Sequence, residues 1–100
     1  MKVSYDFDGV LETKQGEASA KRMMQNHDVY IITARNEKTM ANNVYVLSDR
    51  LGIPRSRVIF TNGKDKWEAV KEYGIDVHYD NRAEQVDKIK KFTDAKAVKF

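Results

Sequence analysis

The stretch that decides the fold is Lys2-Val3-Ser4-Tyr5-Asp6-Phe7-Asp8-Gly9-Val10. Val3, Tyr5 and Phe7 alternate with Lys2, Ser4 and Asp6, the period of two that marks a strand with two different faces. Asp8-Gly9 then supplies turn residues. A strand is therefore predicted over Lys2 to Phe7, and it releases two acidic side chains, Asp6 and Asp8, at its carboxyl end.

Working outward, strand and helix signals alternate with short connections. Residues from about Gly16 to Asn26 carry Ala18, Ala20, Met23 and Met24 at helical spacing, and Val29-Tyr30-Ile31-Ile32 is a buried strand by composition. Met40, Val44, Leu47 and Leu51 form a helical stripe from about Glu37 to Leu51, which Gly52 ends with Pro54 just beyond. Val58-Ile59-Phe60 is a third strand, stopped by Asn62-Gly63. A helix from about Lys66 to Tyr73 is closed by Gly74. Asp76 to Tyr79 is a fourth strand, Ala83 to Phe92 an amphipathic helix, and Ala95 to Val98 a fifth strand. Parallel neighbours need crossover connections, which helices supply. The order therefore predicts an α/β, three-layer Rossmann-like fold with a parallel sheet of about five strands.

Bulk properties narrow the class. One hundred residues suffice for one core, so a single domain over 1–100 is expected, with no cap domain over its site. Hydrophobic residues at 41% and charged residues at 33% describe a globular chain rather than a disordered one. There is no cysteine, which excludes disulfides and thiolate metal sites and fits a cytoplasmic setting. No apolar run reaches the roughly 18 residues of a membrane span, so no membrane association is expected. The net charge of +3 is compatible with ordinary solubilising charge and with phosphorylated or nucleic-acid partners.

In open parallel sheets ligands bind beyond the carboxyl ends of the strands. The polar residues there are Asp6 and Asp8, Thr33 and Arg35, Thr61 and Asn62, and Asp80 and Asn81. Asp6 and Asp8 lie two residues apart, so a cation or a shared proton must compensate their repulsion. Oxygen donors with no patterned His or Cys suit magnesium, which keeps several waters and takes one or two carboxylates; Asp80 is the candidate for the second. A purely local turn role for Asp-x-Asp-Gly is the competing explanation. His27 and His78 have no partner pattern and are read as structural, Trp67 as packing, and Lys88 to Lys91 as a solvated face.

Taken in order, Asp6-Phe7-Asp8-Gly9-Val10, Ile31-Ile32-Thr33-Ala34-Arg35, a lysine opening the helix at Lys66, and Tyr79-Asp80-Asn81 resemble the four motifs of the haloacid dehalogenase superfamily of phosphatases. The resemblance runs from residue 2 to about residue 90. It implies a magnesium-dependent phosphohydrolase acting on phosphoric monoesters. Asp6 matches the nucleophile that forms an aspartyl-phosphate, and Asp8 the acid/base that protonates the leaving oxygen and then activates water. Asp6, the main-chain carbonyl of Asp8 and the Asp80 side chain match the magnesium ligands. Thr33 matches the hydroxyl that holds a phosphoryl oxygen, with backbone N–H groups of Ala34 and Arg35 after it. Lys66 matches the stabilising cation and is preferred to Lys64 because it opens the helix directly.

Two departures shape the expected substrate. Asn81 stands where many relatives carry a second acid, and Leu11 to Gln15 is too short for the flap that usually covers the site. An uncovered site implies a large phosphorylated substrate, such as a nucleic-acid end or a phosphoprotein, or a second copy of the chain as cover. The rival expectation is a weakly active binding or regulatory module that keeps the fold. A receiver-like domain is a third, but it gives Asp8-Gly9 no role.

Overall fold

The computed structural model describes residues 1–100. Strands β1 (Lys2–Tyr5), β2 (Asp28–Thr33), β3 (Val58–Phe60), β4 (Val77–Asp80) and β5 (Lys96–Lys99) form one sheet in the order β3-β2-β1-β4-β5, every pair parallel. The predicted α/β three-layer architecture is thus the observed one. No inserted domain interrupts the sheet, and no helix is long and apolar enough to cross a membrane.

Helices α1 (Lys14–Met24), α2 (Glu37–Met40), α3 (Asn42–Leu51), α4 (Trp67–Glu72) and α5 (Ala83–Phe92) make the crossovers. Two apolar clusters separate the layers. Val3, Tyr5, Val29 and Ile31 pack with Ala20 of α1 and with Val44 and Leu47 of α3. Ile32 and Ala97 pack with Val70 of α4 and with Val86 and Ile89 of α5. Each large aliphatic chain removed from water contributes about 1.5–3 kcal/mol, so β2 holds both outer layers through its two faces, while β1 adds Val3 and Tyr5 to the first.

Element limits differ from the predicted ones where side chains capture backbone groups. Thr13 accepts a hydrogen bond from the Gly16 N–H (3.0 Å) and donates to the Val10 carbonyl (2.5 Å), so α1 starts earlier than Gly16. That pairing presses α1 on the preceding turn so closely that a Cβ at Gly16 would overlap the Val10 carbonyl. The single helix predicted over Glu37 to Leu51 is divided at Ala41. The Met40 carbonyl there accepts from Arg35 Nη1 (3.2 Å), and Met40 itself is exposed instead of continuing the buried stripe.

β1 sits at the centre, and the chain leaves it first towards β2 and β3, then crosses to β4 and β5. The strand order therefore reverses at β1, and its carboxyl end faces the carboxyl ends of both β2 and β4. Such a reversal opens the crevice in which doubly wound sheets bind ligands.

Candidate functional site

The site follows from register. Ser4 of β1 lies opposite His78 of β4, and side chains two residues apart share a face. Ser4 and Asp6 thus form one column, and His78 and Asp80 its neighbour. Beyond Tyr5 the chain coils into a single wide turn over Phe7–Leu11, closed by hydrogen bonds from the Leu11 N–H to the Asp6 carbonyl and from the Glu12 N–H to the Phe7 carbonyl; Asp6 and Asp8 are extended, and Gly9 has a φ of +75°. The Glu12 carboxylate accepts the Gly9 N–H (2.7 Å). A Cβ on Gly9 would displace the Asn81 side-chain nitrogen, and the left-handed backbone is what favours glycine there.

Lys66, at the start of α4, reaches between the two columns. Its Nζ is 2.8 Å from Asp6 Oδ1 and 2.8 Å from Asp80 Oδ2, and Lys66, Asp6 and Asp80 are 2%, 3% and 0% exposed. Its backbone N–H donates to the Gln85 side-chain oxygen of α5 (3.1 Å), which fixes the start of the helix. Lys64 is exposed, and its carbonyl accepts from the Thr61 hydroxyl (2.7 Å). Of the two lysines, then, Lys66 is the one between the acids.

Asp80 is bound on both oxygens. Oδ2 accepts from Lys66 and from His78 Nε2 (2.9 Å), and Oδ1 from the Arg82 N–H (3.0 Å). With Nε2–H donating, His78 Nδ1 is the acceptor for the Ser4 hydroxyl (2.6 Å). Ser4 and His78 are fully buried, so this Ser-His-Asp chain orients Asp80 and offers no nucleophile to a ligand. Burial acts to raise the Asp80 carboxyl, but the His78 hydrogen bond and the Lys66 charge outweigh it and hold it down at about 2. Asp6 goes the other way. Burial pushes it up to about 6, against the attraction of Lys66 and with the added repulsion of Asp80. Burial also pushes His78 down, which keeps the imidazole neutral.

Asp8 lies at the rim, with its side chain 52% exposed. Arg35 grips it, with Nη2 2.8 Å from Oδ1 and Nε 3.0 Å from Oδ2. The guanidinium stacks over the Phe7 ring at 4.8 Å. The loop that carries Arg35 is held by three hydrogen bonds from the loop after β3: Thr61 N–H to Thr33, Asn62 N–H to Arg35 and Gly63 N–H to Ala34.

Asp6, Asp8, Gly9, Ala34, Lys66, Asn81 and Arg82 line a cleft of about 210 Å³ at the carboxyl ends of the strands. Thr33 is not among them: it is fully buried, and its hydroxyl accepts the Arg35 N–H (3.3 Å). The resemblance had implied a hydroxyl open to a phosphoryl oxygen, and here it stabilises its own loop. A larger hollow of about 560 Å³ lies at the other end of the sheet beside Gly74, Asp76 and Ala95, away from the acids and Lys66.

Sequence reading passed over Ser4, His78, Gln85 and Arg82 as site residues. Ser4 and His78 each stand two positions before a site carboxylate, a signal that acquires meaning only once β1 and β4 are known to be neighbours.

For a divalent cation the donors are hard oxygens, and Asp6, Asp80 and Lys66 around a neutral His78 leave one uncompensated negative charge. That suits magnesium held by few carboxylates and several waters. No group of three or more acidic or imidazole side chains converges, and the Asp80 oxygens are already bound. Asp6, whose one side-chain partner is Lys66, is therefore the acid with room for a cation, and Asp80 acts on it through its charge. No family model matches the chain, and neither does any curated protein or solved structure.

Proposed function

We propose that the protein is a phosphohydrolase that transfers the phosphoryl group of a phosphomonoester to Asp6 and then to water. The observation that carries this reading is the buried Lys66 ammonium, 2.8 Å from both Asp6 and Asp80 beside the cleft at the strand ends. A buried ion pair of this kind is a weak source of stability, whereas a fixed cation beside a carboxylate is what phosphoryl transfer to that carboxylate needs. The resemblance of Asp6 to Val10, Ile31 to Arg35, Lys66 and Tyr79 to Asn81 to the ordered motifs of the haloacid dehalogenase superfamily supports the same assignment.

In this mechanism an Asp6 oxygen attacks phosphorus while Lys66 offsets the charge on nucleophile and phosphoryl oxygens. Asp80, oriented by His78 and the Arg82 N–H, keeps Lys66 in place. Asp8, released from Arg35 and protonated from solvent, gives that proton to the leaving oxygen as the bond to phosphorus breaks; as a carboxylate it then takes a proton from the water that attacks the aspartyl-phosphate, which frees phosphate and regenerates the Asp6 carboxylate. Ala34 borders the phosphoryl position, and Arg35 lies beyond it, behind Asp8. Magnesium, held by Asp6 and the Asp8 carbonyl, would supply charge screening between nucleophile and phosphate. The shallow cleft favours a phosphate at the end of a larger molecule, with a nucleic-acid end, a phosphoprotein or a neighbouring copy of the chain as the candidate cover.

The test is magnesium-dependent phosphate release from small phosphomonoesters and phosphorylated oligonucleotides. Asp6→Asn is expected to lower the rate at least about 100-fold; equal rates for the two proteins would refute the mechanism. A second reading, a phosphate-binding module without turnover, draws on the capture of Asp8 by Arg35. It predicts no release from any substrate, together with retained phosphate binding.

A further inference from the structure

The two cations that line the cleft are already paired, Lys66 with Asp6 and Asp80 and Arg82 with Glu84, and so is Arg35, which lies just behind the lining residue Asp8. The Arg35 pair is unequal. Arg35 is the fixed member, with its side chain 17% exposed, stacked on Phe7 and donating to the Met40 carbonyl. Asp8 is the loose member, more than half exposed and held by Arg35 alone among side chains. If Asp8 swings away, the guanidinium stays where it is and presents a ready-made fork to whatever anion follows. An arginine held this way binds carboxylate and phosphate through two parallel hydrogen bonds with little further ordering.

From this geometry we propose that Arg35 is an anion subsite on the leaving-group side, occupied by Asp8 until a second anionic group of the substrate displaces it. The inference rests on the proposed function for one point: Asp8 acts on the leaving oxygen, so the place its carboxylate vacates adjoins the leaving group. The ligand class is then a phosphomonoester whose leaving group bears another phosphate, either a terminal phosphate in a bisphosphate or the next phosphodiester in a nucleic-acid end. Binding of that second anion and release of Asp8 are one exchange. With both carboxylate oxygens on Arg35, Asp8 does not offer one to a leaving group. A substrate that takes over Arg35 frees it.

The exchange is testable by binding alone, in an Asp6→Asn background that removes the nucleophile. Dissociation constants are measured by calorimetry in magnesium buffer for glycerol 1-phosphate, for 1,3-propanediol bisphosphate and for a 5′-phosphorylated dinucleotide. Adding Asp8→Ala frees Arg35, and affinity for the two doubly anionic ligands is expected to rise about fivefold beyond any gain for glycerol 1-phosphate, the factor set by the upper range for an exposed ion pair. Arg35→Gln is expected to abolish both the preference for a second anion and this extra gain, while Arg35→Lys, which keeps the charge but not the fork, retains part of it. A gain from Asp8→Ala that is equal for all three ligands, or that persists in Arg35→Gln, would overturn the proposal, because it would report only the loss of a negative charge. Thermal melts establish that each variant is folded. Turnover by the wild-type protein is scored separately, so a failed exchange and a failed phosphohydrolase reading give different results.

Discussion

Asp6 is an ionisable carboxylate held at 3% exposure with one lysine shared between it and Asp80, so Asp6→Asn is expected to stabilise the metal-free protein. Burial raises the folded-state pKa from 3.8 to about 6. At 1.36 kcal/mol per pKa unit, that displacement corresponds to about 3 kcal/mol by which folding disfavours the ionised form. Asparagine matches the protonated acid in shape and carries no charge to bury, so about 2–3 kcal/mol is the expected gain near pH 7.5. A raised carboxyl makes the folded state bind the proton more tightly. The wild type therefore gains stability as pH falls through about 6, and it has gained it all once pH is below the unfolded value. The two proteins should accordingly converge near pH 4. Urea unfolding in EDTA at about pH 7.5 and about pH 4, with wild type and variant in parallel, measures both quantities. An Asn variant that is less stable at neutral pH, or a difference that does not change with pH, would refute the electrostatic account of Asp6. Stabilisation by the same substitution that is expected to abolish turnover is the mark of a residue kept for chemistry at a cost to folding.

Three further outcomes follow from the same network. Lys66→Met leaves Asp6 and Asp80 buried without their cation and is expected to cost about 3–5 kcal/mol in chemical denaturation, most of it recovered when Asp6→Asn is added; no recovery in the double variant would show that the loss is packing. His78→Phe removes one donor from Asp80 and the acceptor of Ser4, for an expected loss of about 1–3 kcal/mol. His78→Gln, which retains an N–H for Asp80, should lose less, and equal midpoints for the two would argue against the hydrogen bond. Gly9→Ala combines a left-handed backbone with displacement of the Asn81 side chain; it should cost at least about 1 kcal/mol and lower phosphate release more than Gly52→Ala, where a Cβ meets open space.

The layers were legible because alternation is a strong physical signal. Val3 and Tyr5 alternate with Ser4, and the apolar run of β2 marks a strand buried on both faces, so a parallel sheet is readable from the sequence. Strand order was less accessible, since nothing local says that β4 returns to the side of β1 away from β2. That return places His78 opposite Ser4, and the polar chain behind Asp80 was accordingly hidden. Lys66 was readable as a helix-opening lysine, but its burial was not, because the sequence does not show that α4 begins directly over Asp6 and Asp80. Thr33 and Arg35 show a different limit. Both stand at a strand end where ligands bind, and their partners within the protein, the Arg35 N–H for the Thr33 hydroxyl and Asp8 for the guanidinium, are visible only in the fold. Residue type and strand-end position leave open which partner a polar group takes.

The site divides into a buried half and an exposed half, and the division bears on the choice between turnover and mere binding. Ser4, His78, Asp80, Lys66 and Asp6 form a continuous network with almost no solvent contact, and its rigidity serves either reading, since a fixed cation can hold a phosphate as well as activate an acceptor. Asp8 is different. A proton-transfer group must follow the leaving oxygen as the bond to phosphorus lengthens and then turn to water, which calls for a side chain that can leave its resting partner. A binding module has no use for that freedom. Asp8→Asn therefore separates the two: in a phosphohydrolase it should lower phosphate release by about 100-fold or more while phosphate affinity is kept or increased. In a binding module it should change affinity alone, with no release to lose. Unaltered release by Asp8→Asn would remove Asp8 from the mechanism and leave the buried half to be explained by anion binding.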